Sequence, residues 1–205
     1  MIVDPEKLSP RDAYQLLITS IVPRPIAFVS TVSQEGVSNA APFSFFTALN
    51  ASPALIAFSI ISPGGQEKDT LRNIRFSRDF VIGMVSEDLA DAMNTASGDF
   101  APEVSEIELT GLTAMPSEKV KSPWIAECPV SMECQLSQII EVAESYVSII
   151  MGRIVLFHIR DGIYNDGRID EHQLRAIAAL GTNRYSRSSE TFGLDRPTIR
   201  PEPRE

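Results

Sequence analysis

Residues 39–74, NAAPFSFFTALNASPALIAFSIISPGGQEKDTLRNI, join small polar residues, a phenylalanine cluster and a glycine turn to a lysine placed where a helix should begin. Ala54–Ile61, ALIAFSII, is a short, almost wholly apolar run between Pro53 and Pro63, which suits a buried strand better than a helix. Leu71 and Ile74 lie three apart with basic residues around them, so a short helix over residues 69–78 starts at Asp69 or Thr70. A lysine at that start faces the positive end of the helix dipole, which costs about a few tenths of a kcal/mol unless an anion sits nearby. A phosphate is the simplest such anion.

Upstream, IAFVSTV at residues 26–32 is rich in β-branched residues, SQEG supplies a loop, and VSNAAPFSFF resumes the extended pattern, so a hairpin is expected. Downstream, residues 80–85 read as another strand, and SEDLADAMNTAS from Ser86 reads as a capped, amphipathic helix ending at Gly98. Residues 99–127 are irregular, punctuated by Pro102, Gly111, Pro116 and Pro123. Residues 130–143 and 145–159 form two long strand-like runs around a tight turn near Glu144, and should pair antiparallel. The second run is apolar on both alternating faces: Val147, Ile149, Met151, Val155 and Phe157 on one, Ile150, Ile154 and Leu156 on the other. A strand of that kind must be covered twice, and a second subunit would supply the outer cover. Strands in hairpins with helices between some of them predict a mainly β barrel with peripheral helices, in a single domain over residues 1–205 with an extended tail from about 193 that frays or embraces a neighbour.

Composition narrows the function. Asp+Glu 27 against Lys+Arg 18 gives a net charge of -9, which argues against a nucleic-acid or anionic-membrane surface, so any anionic ligand is held locally. The start of the chain shows no basic segment leading into an apolar run, and no stretch reaches the roughly 18 apolar residues of a spanning helix, so a cytoplasmic protein is expected. Cys128 and Cys134 match neither a redox pair nor a zinc set and read as buried free thiols; with only two histidines, no metal site is expected.

Five groups of residues carry candidate chemistry. Lys68 and Thr70 pair a cation and a hydroxyl with unsatisfied helix N–H groups, which suits a phosphate; a solvated lysine before an ordinary cap is the commoner arrangement for three residues alone. Asn39, Ser44 and Thr47 among three phenylalanines suit a planar heteroaromatic ring with polar edges, while the same phenylalanines can simply fill a core. His158 lies among apolar residues, where a lone histidine is more often a satisfied core or interface group than a catalyst. Arg24 is held extended in PRPIA, aimed at an anion or merely leading into the first strand. Gly181 in LGTNRY reads as a helix C-cap followed by an interface tyrosine, Tyr185. No dinucleotide or P-loop glycine fingerprint accompanies them, and no hydrolytic triad is suggested.

Taken in order and spacing, PRPIAFVST, NAAPFSFFTAL, the Ser-Pro turn, KDTLRNI and DFVIGMV resemble the flavin reductase-like FMN-binding family over roughly residues 12–186. The resemblance implies a Greek-key split β-barrel, a homodimer, and one FMN per subunit near the dimer interface. It implies that Asn39, Ser44, Phe45 and Thr47 lie along the isoalloxazine and ribityl chain, that Lys68 and Thr70 meet the phosphate with Ser62 a weaker candidate, and that His158 is the catalytic candidate near the flavin. The implied activity is NAD(P)H-dependent flavin reduction feeding a monooxygenase or another electron acceptor. Two alternatives stay open: an electron carrier with tightly bound FMN that does not oxidise NAD(P)H directly, and a non-enzymatic binding protein on the same barrel.

Overall fold

The computed structural model describes residues 1–143, 145–195 and 197. Helix α1 (Pro10–Ser20) leads into the short β1 (Arg24–Pro25). Two antiparallel pairs follow, β2 (Ala27–Val32) with β3 (Ser38–Phe43) and β4 (Phe46–Ala51) with β5 (Ala54–Ile61). After α2 (Asp69–Ser77) come β6 (Asp79–Met84), α3 (Ala90–Thr95), α4 (Glu106–Leu109) and the small ladder β7 (Ala114–Met115) with β8 (Trp124–Ile125). The long strands β9 (Val130–Val142) and β10 (Val147–Ile159) pair next, followed by β11 (Tyr164–Asn165), β12 (Arg168–Ile169), α5 (Glu171–Leu174), β13 (Ile177–Ala179) and β14 (Tyr185–Arg187).

Seven strands form one sheet in the order β3-β2-β6-β9-β10-β5-β4, every neighbour antiparallel. Three successive strands, β6, β9 and β10, lie side by side while β5 reaches β10 from the far side, which is a Greek key. The edges β3 and β4 are consecutive in the chain. The Ser59 N–H on β5 donates to the Phe45 carbonyl at 2.9 Å, extending the β4–β5 ladder into the link, and the Phe43 ring of β3 lies 5.2 Å from the Phe58 ring of β5, so β3 folds back against β5. The sheet thus curls on itself as a split β-barrel, as expected from the sequence.

Strand periodicity assigns the core. Ala27 and Val29 point inward to a buried cluster with Ile56, Phe58, Phe80, Ile82 and Ile150, and α2 adds Leu71 and Ile74 to it. Phe28 points outward, into a second cluster with Leu89, Met93, Ile107 and Ile177. This is why β2 is apolar on both faces: the barrel covers one and the segments from Val85 onward cover the other. Cys128 and Cys134 are buried free thiols, one in each cluster, and burial pushes the Cys128 thiol up to about 12.

Several details differ from the sequence reading. VSNAAPFSFF is not one strand, because the chain leaves β3 at Phe43 and re-enters the sheet as β4 at Phe46. Gly181 follows β13 in a turn towards β14, so it is not a helix C-cap, and Tyr185 is a strand residue. Strict alternation along β10 fails at a bulge: Ile154 pairs with Cys134, then Leu156 with Glu133 and Phe157 with Met132. The turn at Glu144 lies outside the described residues, as does the tail at 196 and 198–205.

At Gly152 an added Cβ would come well inside van der Waals contact distance of Cζ of the fully buried Phe80 and stand 3.2 Å from Ile56 Cδ1. Gly152→Ala should therefore lower stability by about 1–3 kcal/mol, the range for overpacking a core, measured as a reduced denaturant midpoint with unchanged slope.

Candidate functional site

A cleft of about 420 Å³ opens between the end of β3, the start of α2 and the segment between α3 and α4. Asn39 and Ala41–Phe43 form one wall, Gln66–Thr70 with Arg72 a second, and Ala96–Phe100, Pro102 and Glu106 the third. Asn39 and the Lys68–Thr70 pair, which belong to separate candidate groups in the sequence, are brought together here.

The floor is a buried polar network. Glu106, only 5% exposed, accepts both amide contacts from Asn39 Nδ2 at 3.0 Å and one from the Ala40 N–H at 3.2 Å. With its amide nitrogen committed to a carboxylate, Asn39 must turn Oδ1 the other way, where it accepts from Thr70 Oγ1 at 3.0 Å and Thr31 Oγ1 at 3.3 Å. Asn73 Nδ2 donates to Thr31 Oγ1 at 3.0 Å and completes the chain. Burial pushes the Glu106 carboxyl above its ordinary value; its own N–H, that of Ala40 and the Asn39 amide oppose this, and the charge of Asp69 adds to it.

Above the floor lies the start of α2. Lys68 is the N-cap and gives no side-chain cap; its carbonyl accepts from Leu71 and Arg72 at 3.0 and 3.1 Å, so the preceding N–H groups of Asp69 and Thr70 have no intrahelical acceptor. Arg72 is bound to Asp69 at 2.6 Å, and Lys68 Nζ to Asp99 Oδ1 at 2.6 Å. The hydrogen bond from Lys68 holds the Asp99 carboxyl below its ordinary value. Ser62, one residue before the cleft-lining Pro63, has a buried Oγ with no hydrogen-bond partner among the described residues. A cation and open helix N–H groups are the donors that a phosphate needs, so the residues present fit such a group, while Ser62 itself does not line the cleft.

The other sequence candidates stand elsewhere. Ser44 and Phe45 lie on the link between β3 and β4, where Arg24 Nε donates to Ser44 Oγ at 3.4 Å and the guanidinium is 6.0 Å from the Phe45 ring. Arg24 itself is buried and donates to the carbonyls of Ile18, Ile21 and Gly181, so it closes the end of α1 and is not turned to an anion. Thr47 is exposed on β4, and its hydroxyl donates to the Ala48 carbonyl at 3.2 Å. His158 does not line the cleft: its ring stacks on Trp124 with centroids 4.4 Å apart, and Nε2 is 2.6 Å from Oε1 of the fully buried Glu133. Glu106, Asp99 and Phe100 were missed in the sequence; the one local signal was the Ser105 cap, whose Oγ accepts from the Glu108 N–H.

Split antiparallel barrels of this form occur among proteins described as flavin reductases. Residues 19–175 match the model of the flavin reductase like domain, and the chain belongs to that family. Nitrilotriacetate monooxygenase component B from Bacillus cereus is 36% identical, with a TM-score of 0.91 over 95% of this chain and 98% of that one. The 2-nitrobenzoate 2-nitroreductase NbaA of Pseudomonas fluorescens is 31% identical, with a TM-score of 0.89 over 99% and 100%. A protein of Halalkalibacterium halodurans is 43% identical over 204 residues, 97% of this chain and 98% of its own.

Burial of the Glu106 carboxyl makes stability depend on pH. Its contribution to stability is fully present below its unfolded value near 4.5 and is lost as pH rises through the higher folded value. Asn39→Ala removes the amide donors and raises that carboxyl further. The variant should lose about 2–3 kcal/mol at pH 7.5, and the loss should shrink as pH falls and Glu106 takes up a proton, followed by urea denaturation across pH.

Proposed function

We infer that the cleft holds FMN and that the protein is an NAD(P)H-dependent flavin reductase delivering reduced flavin or electrons to an acceptor such as a monooxygenase. The observation that carries this is the pairing of Lys68 with the uncapped start of α2, on a barrel belonging to the flavin reductase like family. In this reading Lys68, with the Asp69 and Thr70 N–H groups, takes the phosphate, and Ser62 supports the turn beside it. Thr70 Oγ1, only 2% exposed as a residue and engaged with Asn39, holds the wall in shape more than it touches ligand. Phe43, with Ser44 and Phe45 beyond it, continues the wall along which the ring and ribityl chain would lie.

The flavin ring supplies the chemistry when bound, accepting hydride from a nicotinamide donor. The chain's task is then to bind, orient and leave one ring face open, which needs no acid–base residue. His158, turned to Glu133 and Trp124, is not required for that task. The likeness to a monooxygenase component B supports an oxygenase as acceptor, and the likeness to a nitroreductase supports including nitroaromatics among the acceptors assayed.

The homodimer belongs to the same proposal. β5 pairs with Val147–Arg153 of β10, so among the described residues Ile154–Ile159 is paired on one side alone, and Phe157 stands 52% exposed there. An open strand edge beside exposed apolar surface favours a second copy. Light scattering at low salt measures the mass directly. A cytoplasmic location is also proposed; among the described residues no helix is long and apolar enough to cross a membrane.

The test has two stages. Flavin-free protein titrated with FMN should change the visible spectrum and quench flavin fluorescence; no binding would overturn the reading. NADH and NADPH oxidation is then assayed with bound FMN: turnover supports the reductase, and binding without turnover selects an electron carrier instead. Lys68→Ala should weaken FMN by roughly 1–3 kcal/mol, the range for a charged hydrogen bond, while leaving riboflavin, which lacks the phosphate, within about twofold.

A further inference from the structure

Lys68, the cation at the start of α2, already has an anion. Asp99 meets it at 2.6 Å, with the lysine side chain 43% exposed and the aspartate 89% exposed. Arg72, the other cation lining the cleft, is bound to Asp69 on its own helix. Four carboxylates line the same space, those of Glu67, Asp69, Asp99 and Glu106, so an incoming phosphate meets net negative charge and finds its best partner occupied.

Asp99 lies on a strap between α3 and α4. Within residues 99–103 the backbone makes one bond, from Val104 N–H to the Ala101 carbonyl, and the Lys68–Asp99 pair is the sole hydrogen bond or ion pair, among the described residues, that ties this stretch to another element. Phe100, also lining the cleft, is folded against Gly98, where an added Cβ would stand 2.9 Å from ring atom Cε2. An exposed single ion pair is a weak tether, screened by salt and readily exchanged.

We propose that Asp99 is a resident competitor for Lys68: a ligand phosphate and the Asp99 carboxylate are alternative partners of one ammonium, and phosphate binding releases the strap that carries Asp99 and Phe100. Asp99 thereby sets how strongly the cleft distinguishes a phosphorylated flavin from an unphosphorylated one. This rests on the flavin reading above, and it adds a specificity determinant on a segment that donates nothing to the ligand itself. At the lysine one anion replaces another, a phosphate of about −1.5 to −2 taking the place of a carboxylate of −1. Its direction depends on the phosphate gaining the open Asp69 and Thr70 N–H groups, which the Asp99 carboxylate at Nζ does not use.

The test compares wild type, Asp99→Asn, Lys68→Ala and the double variant, each titrated with FMN and with riboflavin by flavin fluorescence. Asp99→Asn should bind FMN about three- to ten-fold more tightly and riboflavin within about twofold of wild type. In the Lys68→Ala background the same substitution should change FMN affinity less than twofold, because the competition needs the lysine. An unchanged FMN-to-riboflavin ratio in Asp99→Asn overturns the proposal. A second arm needs no flavin: inorganic phosphate is titrated into flavin-free protein while the backbone amide signals of Gly98, Asp99 and Lys68 are followed by NMR. Saturable shifts at lower phosphate in Asp99→Asn than in wild type support the competition even if no flavin binds, which would sink only the flavin reading. Absence of shifts at these amides overturns the competition whatever the flavin does.

Discussion

One buried carboxylate organises the region on which function depends. Glu106 reaches across 66 and 67 residues of sequence to take the N–H of Ala40 and both contacts from the Asn39 amide, and so ties the short helix α4 to the barrel strand β3. Almost wholly out of water, its carboxyl is tolerable there because those donors satisfy its oxygens. Its demand on the amide nitrogen dictates which way Asn39 Oδ1 points, and that atom in turn receives the hydroxyls of Thr31 on β2 and Thr70 on α2. Two strands and two helices are thus fixed relative to one another by a single amide orientation. The start of α2 is presented to the cleft as a consequence.

The electrostatics of the cleft follow from the same arrangement. A chain with net charge -9 has no general attraction for anions, and the cleft itself carries more carboxylates than cations. Affinity for a phosphate must therefore come from directed donors at short range: N–H groups without intrahelical acceptors and one ammonium. Such a site discriminates by geometry, since bulk negative charge repels anions that cannot reach those donors. The proximity of Asp69 and Glu106 also makes the site sensitive to how much charge the floor carries, because each ionised carboxyl disfavours both the other and any bound anion.

The barrel was largely legible in the sequence because its signals are local. Ala54–Ile61 is bounded by prolines and forms β5 with those limits, and Leu71 with Ile74 marks the buried face of α2. Alternation and punctuation likewise gave the β2–β3 hairpin and the long β9–β10 pair, though register shifts at Met151/Gly152 and at Ile154/Leu156 interrupt the period. Helix α1 was not read, although Ser9 caps it and Pro10 starts it, because Ile18 is its one buried residue and its apolar stripe is weak. Asn39, Lys68 and Thr70 could be chosen as candidates from type and spacing. Their assembly into one floor and wall could not, since Glu106 and Asp99 belong to the segment with the poorest local pattern.

That segment was unreadable for a physical reason: long-range side chains, not local propensity, hold it. Beyond Glu106, the Asp79 carboxylate accepts from the N–H groups of Lys121 and Ser122, and Glu133 from those of Glu118 and Lys119. Burial would push the Glu133 carboxyl up; the Glu118 N–H, the His158 ring and the Lys119 N–H outweigh it and hold it below its ordinary value. Two acidic strand residues thus replace the ladder that residues 117–122 do not form, satisfying backbone donors that neither helix nor sheet accommodates. His158 enters as part of this clamp, bound to Glu133 on one edge and stacked on Trp124, which follows the clamped stretch. Its place in the sequence, a lone imidazole on a long apolar strand, looks the same whether it serves a cofactor or a loop. Only the position of Glu133, fully buried on the neighbouring strand, shows which contact the ring makes.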